Sequence, residues 1–241
     1  MNGRTRRTLT SLLVASCLAG VIPVPACASP TASAIVPALP RPGAMLLMEN
    51  GRGTVWDVIY PPGVPTAMHR HGADFVGVEL VASRLKITTV DGEVHVSDVA
   101  HGDMYMLPKG LTHIEEGLAG YPQRNAILIE LKDTPATPSP NPTSASTGFR
   151  AKAARVAVDN TRLTIWDASW LAGDVGQPFF QSRDIFLVPI DPGVLAIASD
   201  DEPPRTLPVA GGQVVFLRGG GHVRTIRSVG GAVRAAVIEL K

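Results

Sequence analysis

Cysteine is nearly absent from this chain. Its 241 residues hold two, Cys17 and Cys27, and both fall within the first 28 positions. If that stretch is removed, the remainder has neither a disulfide framework nor a thiol to serve as nucleophile or ligand. Aromatic residues are scarce as well, at 5%. Charge of one sign is also lacking. The formal net charge is +1, so charge suggests neither nucleic-acid nor acidic-ligand binding. Beyond the N-terminus no segment carries apolar residues at a sustained 3.6-residue spacing, so amphipathic helices are not expected. Glycine (24) and proline (21) are abundant, and Val, Ile and Thr are common. That composition favours short strands joined by tight turns.

The one long apolar run, residues 9–24, follows Arg4, Arg6 and Arg7 and ends near Pro23 and Pro25. Ala26 and Ala28 flank Cys27 as a small-x-small cleavage site, so residues 1–28 read as an export signal cut after Ala28. The run is shorter than the ~20 apolar residues that a membrane anchor needs. Arg6-Arg7 hints at twin-arginine export, and Val14 to Cys17 resembles a lipoprotein signal that would lipidate Cys17. The apolar run continues past Cys17, which favours cleavage at Ala28. The expected location is therefore periplasmic or secreted.

The rest of the chain matches itself at one shift. Moving it by 110 residues pairs Thr54 with Thr164, Trp56 with Trp166, Asp57 with Asp167, Asp74 with Asp184, Gly102 with Gly212 and Gly110 with Gly220. With one deletion, residues 129–132 match residues 238–241. A register held through turns and strands alike indicates an internal duplication. In the first half, strands are expected at residues 54–60, 75–81, 84–90, 93–99, 104–107 and 126–131. In the second they are expected at 163–170, 185–190, 194–198, 214–217 and 232–240. Residues 29–43 read as a flexible lead-in and 134–149 as a Pro/Ser/Thr-rich linker. The two folded units are then 44–133 and 150–241. Each is marginal in size for an isolated core, so the halves are expected to pack on one another.

The densest chemistry lies between Gly63 and His71. His69 and His71 are one residue apart, and on an extended strand they point to the same face. His113 follows in Gly102-Asp-Met-Tyr-Met-Leu-Pro108-Lys-Gly110-Leu-Thr-His113.

These two stretches resemble the motifs of the cupin family. One is Gly, five residues, then His-x-His; the other is Gly, five residues, Pro-x-Gly, two residues, His. Gly63, His69 and His71 match the first, and Gly102, Pro108, Gly110 and His113 match the second throughout. The resemblance covers residues 44–133 and reaches the second half through the repeat. It implies an all-β bicupin of two double-stranded β-helix (jelly-roll) barrels. It also implies one divalent metal ion on His69, His71 and His113. Imidazole suits Fe, Zn, Mn or Ni, so the donor set does not choose the ion. The family's glutamate would fall at position 75 or 76, which are Phe75 and Val76. Asp74 is one residue short, and Asp184 in the metal-free half marks it as structural.

In the second half Phe179, Gln181, Arg218 and Val223 stand where the first has His69, His71, Pro108 and His113, with His222 one residue out of register. That half is expected to be degenerate, without a metal site. Open coordination positions on three histidines go with catalysis or ligand capture. The expectation is an exported metal-binding bicupin that works as an Fe(II) oxygenase- or isomerase-type enzyme on a small polar molecule. The alternative is a non-catalytic small-molecule-binding or structural module. Neither nucleic acid nor, unless Cys17 is lipidated, a membrane is an expected partner of the mature form. The resemblance leaves a homodimer open. His95 and His101 read as surface residues, Glu115 and Glu116 as a solvated turn, and Tyr105 with Met104 and Met106 as core. Arg70 and Lys109 are weak candidates for anion contacts.

Overall fold

Which face of each strand meets the core decides this architecture. The computed structural model describes residues 34–134 and 148–241. The expected export signal and most of the expected linker lie outside the described residues. All regular structure among the described residues is β. The first half contains β1 (Val36–Pro37), β2 (Ala44–Glu49), β3 (Gly53–Tyr60), β4 (His69–Arg70), β5 (Phe75–Glu79), β6 (Ser83–Thr89), β7 (Val94–Val99), β8 (Met104–Leu107), β9 (Thr112–Gly117) and β10 (Arg124–Leu131). The second contains β11 (Ala153–Asp159), β12 (Leu163–Trp170), β13 (Phe179–Gln181), β14 (Ile185–Pro189), β15 (Gly193–Ser199), β16 (Arg205–Val209), β17 (Val215–Leu217), β18 (His222–Ser228) and β19 (Val233–Leu240).

The first half forms two five-stranded sheets, β1-β4-β9-β6-β7 and β2-β3-β10-β5-β8. The second forms β11-β12-β19-β14-β17 and the four-stranded β13-β18-β15-β16. Pairing is antiparallel except between β1 and β4. Each half is thus a barrel of two facing sheets, as the repeat predicts.

The sheets containing β10 and β19 pack against each other. Val76, Val78, Ile127 and Ile129 of the first barrel share one buried cluster with Ile165, Phe186, Val188 and Ile238 of the second. The alternate residues of the same strands, such as Phe75, Ala126 and Leu128, face the interior of the first barrel. Burial on both faces explains why β5, β10 and β19 read as nearly unbroken apolar runs. The joint carries reciprocal ion pairs. Arg162 donates to Asp74 at 2.7 Å, and its repeat partner Arg52 pairs with Asp184 at 3.3 Å.

Two expectations are corrected. The stretch 29–43 is no flexible lead-in from Val36 onward: β1 pairs with His69 and Arg70, and Ala38 and Leu39 are buried. It folds because Val36 and Ala38 donate backbone hydrogen bonds to Met68 and Arg70. In addition β2, β9, β11, β13, β16 and β18 were not expected as strands; in β9 the inward His113 and Glu115 are polar and hide the period-two pattern.

Candidate metal centre in the first barrel

His69 and His113 are direct cross-strand partners on β4 and β9. His71 continues the β4 face, held by its N–H donating to the Leu111 carbonyl (2.9 Å) and its carbonyl accepting from Gly110 N (2.8 Å). Gly110 has φ +88, a left-handed turn that a Cβ would strain, and this turn brings the Pro108-Lys-Gly segment back onto His71. The three imidazoles are 2–3% exposed, and one ring nitrogen from each lies within 4.8 Å of the others. His71 Nε2 and His113 Nε2 are 3.2 Å apart. Two nitrogens at ~2.1 Å from a common ion would be about 3.0–3.4 Å apart, so the His71–His113 pair has the spacing of ligands to one metal.

His69 Nδ1 sits 3.0 Å from the Ala67 carbonyl. A proton on Nδ1 donates there and leaves Nε2 with its lone pair facing the cluster. Burial lowers the pKa of all three histidines, and for His71 the neighbouring His113 and His69 add to this and bring it to about 4. The imidazoles are therefore neutral at pH 7, the form a metal needs.

Beneath the histidines lies a buried charged network. Arg124, 1% exposed, donates from Nε to both Glu79 oxygens (3.0 and 3.1 Å) and from Nη2 to Glu79 Oε1 (2.5 Å). It also donates to the Tyr105 hydroxyl (2.8 Å) and to Glu115 (3.4 Å), while Tyr105 donates to Glu79 (2.7 Å). Glu115 is two residues beyond His113 on the same strand face. Burial pushes the Glu115 carboxyl up, but Arg124, His113 and Arg41 outweigh it and bring it to about 2. The Tyr60 ring lies between two guanidinium groups, Arg41 at 4.4 Å and Arg124 at 4.1 Å. Gly77 makes room for Tyr105, since a Cβ there would come within 2.2 Å of the Tyr105 ring.

The structure brings His69, His71 and His113 together, and leaves the other candidates elsewhere. Asp74 accepts from Lys109 N (2.8 Å) and Arg162, outside the cluster. His95 and His101 are exposed. Arg70 bonds Thr112, and Lys109 faces Asp133 at 3.8 Å, so neither reaches the site. Met104 and Met106 pack on the joint between barrels while Tyr105 points inward. Glu116 lies on the outer face and pairs with Lys86. Glu115 is the correction: it is buried, not solvated. Sequence reasoning also missed Tyr60, Glu79, Arg124 and Arg41.

Strand pairing gives the second barrel's equivalents. His69 pairs with His113, and Phe179 pairs with Arg224. Arg224, not Val223, therefore stands at the His113 position, and it is 4% exposed. By the same pairings Tyr60 corresponds to Trp170, Glu79 to Pro189, Tyr105 to Val215, Glu115 to Ile226 and Arg124 to Val233. The charged network is absent where the histidines are absent, and the second interior is packed with apolar side chains such as Trp170, Phe179 and Ile226. Positions charged in one half and apolar in the other were the signal that could have found it. Asp200, Asp201 and His222 form a second cluster, of two exposed loop carboxylates and the half-buried first residue of β18.

An all-β chain of two double-stranded β-helix barrels, with a three-histidine cluster in one, has the bicupin architecture. The chain belongs to the cupin superfamily. The β-alanine degradation protein BauB of Pseudomonas aeruginosa is 35% identical over 75 residues, covering 30% of this chain and 78% of that protein. AerE from Microcystis aeruginosa is 14% identical with a TM-score of 0.57, covering 83% of this chain and 98% of that one. The oxalate decarboxylase of Lactobacillus farciminis, in a formate complex, is 11% identical with a TM-score of 0.57, covering 81% and 83%. At those identities the two structures share the fold. No family model matches the chain.

Proposed function

We propose that the first barrel holds one divalent metal ion on His69, His71 and His113, and that the protein is a metal-dependent enzyme acting on a small polar molecule. The observation that carries this is the convergence of three buried imidazoles with two Nε2 atoms 3.2 Å apart. A bound ion supplies Lewis acidity and the coordination positions that three histidines leave open. The Ala67 carbonyl orients His69, and the Glu79–Arg124–Glu115 network holds the strand that carries His113. Phe75, 4.6 Å from His71 between ring centroids, shields that side from water. The relative BauB is named for degradation of β-alanine, a molecule of the size an enclosed site admits.

Metal content decides the reading. The full chain, purified without a metal-binding tag, is compared with the His69→Ala/His71→Ala/His113→Ala variant after loading with Fe(II), Zn(II), Mn(II) and Ni(II) in turn. Near one equivalent of one ion in the wild type, lost in the variant, supports the site; no uptake in either sinks it. The enclosure by Phe75 favours a second reading, a non-catalytic binding module, which predicts metal uptake with no turnover of any small acid. The export signal remains our inference from residues 1–28, and N-terminal sequencing of mature protein should begin at Ser29.

A further inference from the structure

A pocket of about 480 Å³ opens beside His69. One wall is the strap of residues 36–43 and the other is residues 59–67. Val36, Pro40, Pro42, Ile59, Val64 and Pro65 make most of its lining apolar. The charged and aromatic polar groups on it are Arg41, Tyr60 and His69. That size and that mixture suit a small-molecule ligand.

Two features define the ligand's chemistry. The Tyr60 hydroxyl is buried, with the Glu115 carboxylate beside it, and it forms no hydrogen bond of standard geometry among the described residues; Tyr60 is 2% exposed. A buried hydroxyl gains from an acceptor in good geometry. Arg124 is fully occupied by Glu79, Tyr105 and Glu115, whereas the ion pair of Arg41 is a single 3.5 Å approach to Glu115. Arg41 therefore has N–H donors to spare at the pocket.

Charge balance points the same way. Glu79 and Glu115 are offset by Arg41 and Arg124, so the buried cluster sums to zero. A divalent ion on the three imidazoles would add positive charge to a buried site, which is unfavourable unless an anion joins it. This part of the argument rests on the proposed metal; the pocket and its buried hydroxyl do not.

We propose that this pocket takes a small carboxylate with an apolar body. The carboxylate meets Arg41 and the Tyr60 hydroxyl beside His69, and the body lies against the proline-rich wall. An Arg–carboxylate contact of this kind is strong because it is charge-assisted.

The test is calorimetric titration of the full chain with hexanoate and with hexanamide, which share a body and differ in charge. Both metal-loaded and metal-free protein are used. Wild type should bind hexanoate at least about tenfold more tightly than hexanamide. Arg41→Gln should lose about tenfold for hexanoate and nothing for hexanamide, with metal content unchanged, and Arg41→Lys should recover part of the loss. Tyr60→Phe, which removes one hydroxyl, should weaken hexanoate by several-fold. Equal affinity for the two probes, or no saturable binding of hexanoate, overturns the proposal. A chain that takes up no metal loses the proposed enzyme reading instead, and the metal-free titrations still decide the carboxylate pocket.

Discussion

Replacing Arg124 with methionine should destabilise the protein strongly. Arg124 and Glu79 are each 1% exposed, and Glu115 is 5% exposed. Methionine would leave Glu79 with the Tyr105 hydroxyl as its side-chain partner and Glu115 with Arg41 at 3.5 Å. Removing one partner of a buried ion pair costs about 3–5 kcal/mol, because a charge stays buried without compensation. At ~2–4 °C per kcal/mol for a protein of this size, the expected loss in Tm is roughly 6–20 °C. The Glu79→Leu/Arg124→Met double variant removes the orphaned carboxylate along with its partner. Its cost should fall short of the summed single costs by about 1–3 kcal/mol. The second barrel has Pro189 and Val233 at those two places and folds with an apolar interior. Urea denaturation followed by tryptophan fluorescence and far-UV circular dichroism reads all four proteins. An Arg124→Met midpoint within about 1 kcal/mol of wild type, or strictly additive single costs, would show that the network is not the buried ionic core described above.

Phe186→Ala should cost about 3–5 kcal/mol and shift the unfolding of both barrels together, since Phe186 is fully buried at their shared joint. Two separate transitions in a calorimetric scan would refute that coupling. Gly77→Ala should cost about 1–3 kcal/mol by driving a Cβ into the Tyr105 ring, and Gly77→Ala/Tyr105→Leu should recover part of it; equal stability for Gly77→Ala and wild type would contradict the packing. Asp167 is held below the ordinary carboxylate range: burial raises its pKa, but hydrogen bonds from Arg234 and Arg155 outweigh that. The folded pKa is depressed, so this stabilisation is present above the unfolded value of about 3.9 and is lost as pH falls through the folded value. Asp167→Asn should therefore narrow its stability gap to wild type as urea midpoints are taken from pH 6 toward about pH 3; a gap independent of pH would refute the ion pair's role.

Several features of this protein are carried by local order along the chain. The duplication shows in the residues, because Arg52 and Arg162, like Asp74 and Asp184, recur at one spacing and form the same bonds in both halves. Strands β5, β10, β14 and β19 are legible because burial on two faces leaves few polar positions. His69 and His71 could be placed on one face from their spacing alone, and His113 joined them through its motif. The charged interior could not be read that way. Alternation tells which residues share a face, but not whether that face looks into a barrel or out to water. The inward Glu115 of β9 looks like part of a solvated turn until Arg124, Glu79 and Arg41 arrive from elsewhere in the chain to bury it. Glu79 and Arg124 are 45 positions apart, so no local pattern could announce their pairing. The same holds for the strap at residues 36–43, whose prolines suggest a loose tail until β1 finds β4. Register in the second barrel also needed the fold. A constant shift assigns Val223 to the place of His113, while the hydrogen-bonded ladder puts Arg224 there, because an extra residue between β17 and β18 moves the side chains of β18 by one. Sequence order set the repeat, the strands and the three histidines, since those depend on near neighbours. Closure of the barrels alone decided which charges are buried together, since that depends on contacts between strands far apart in the chain.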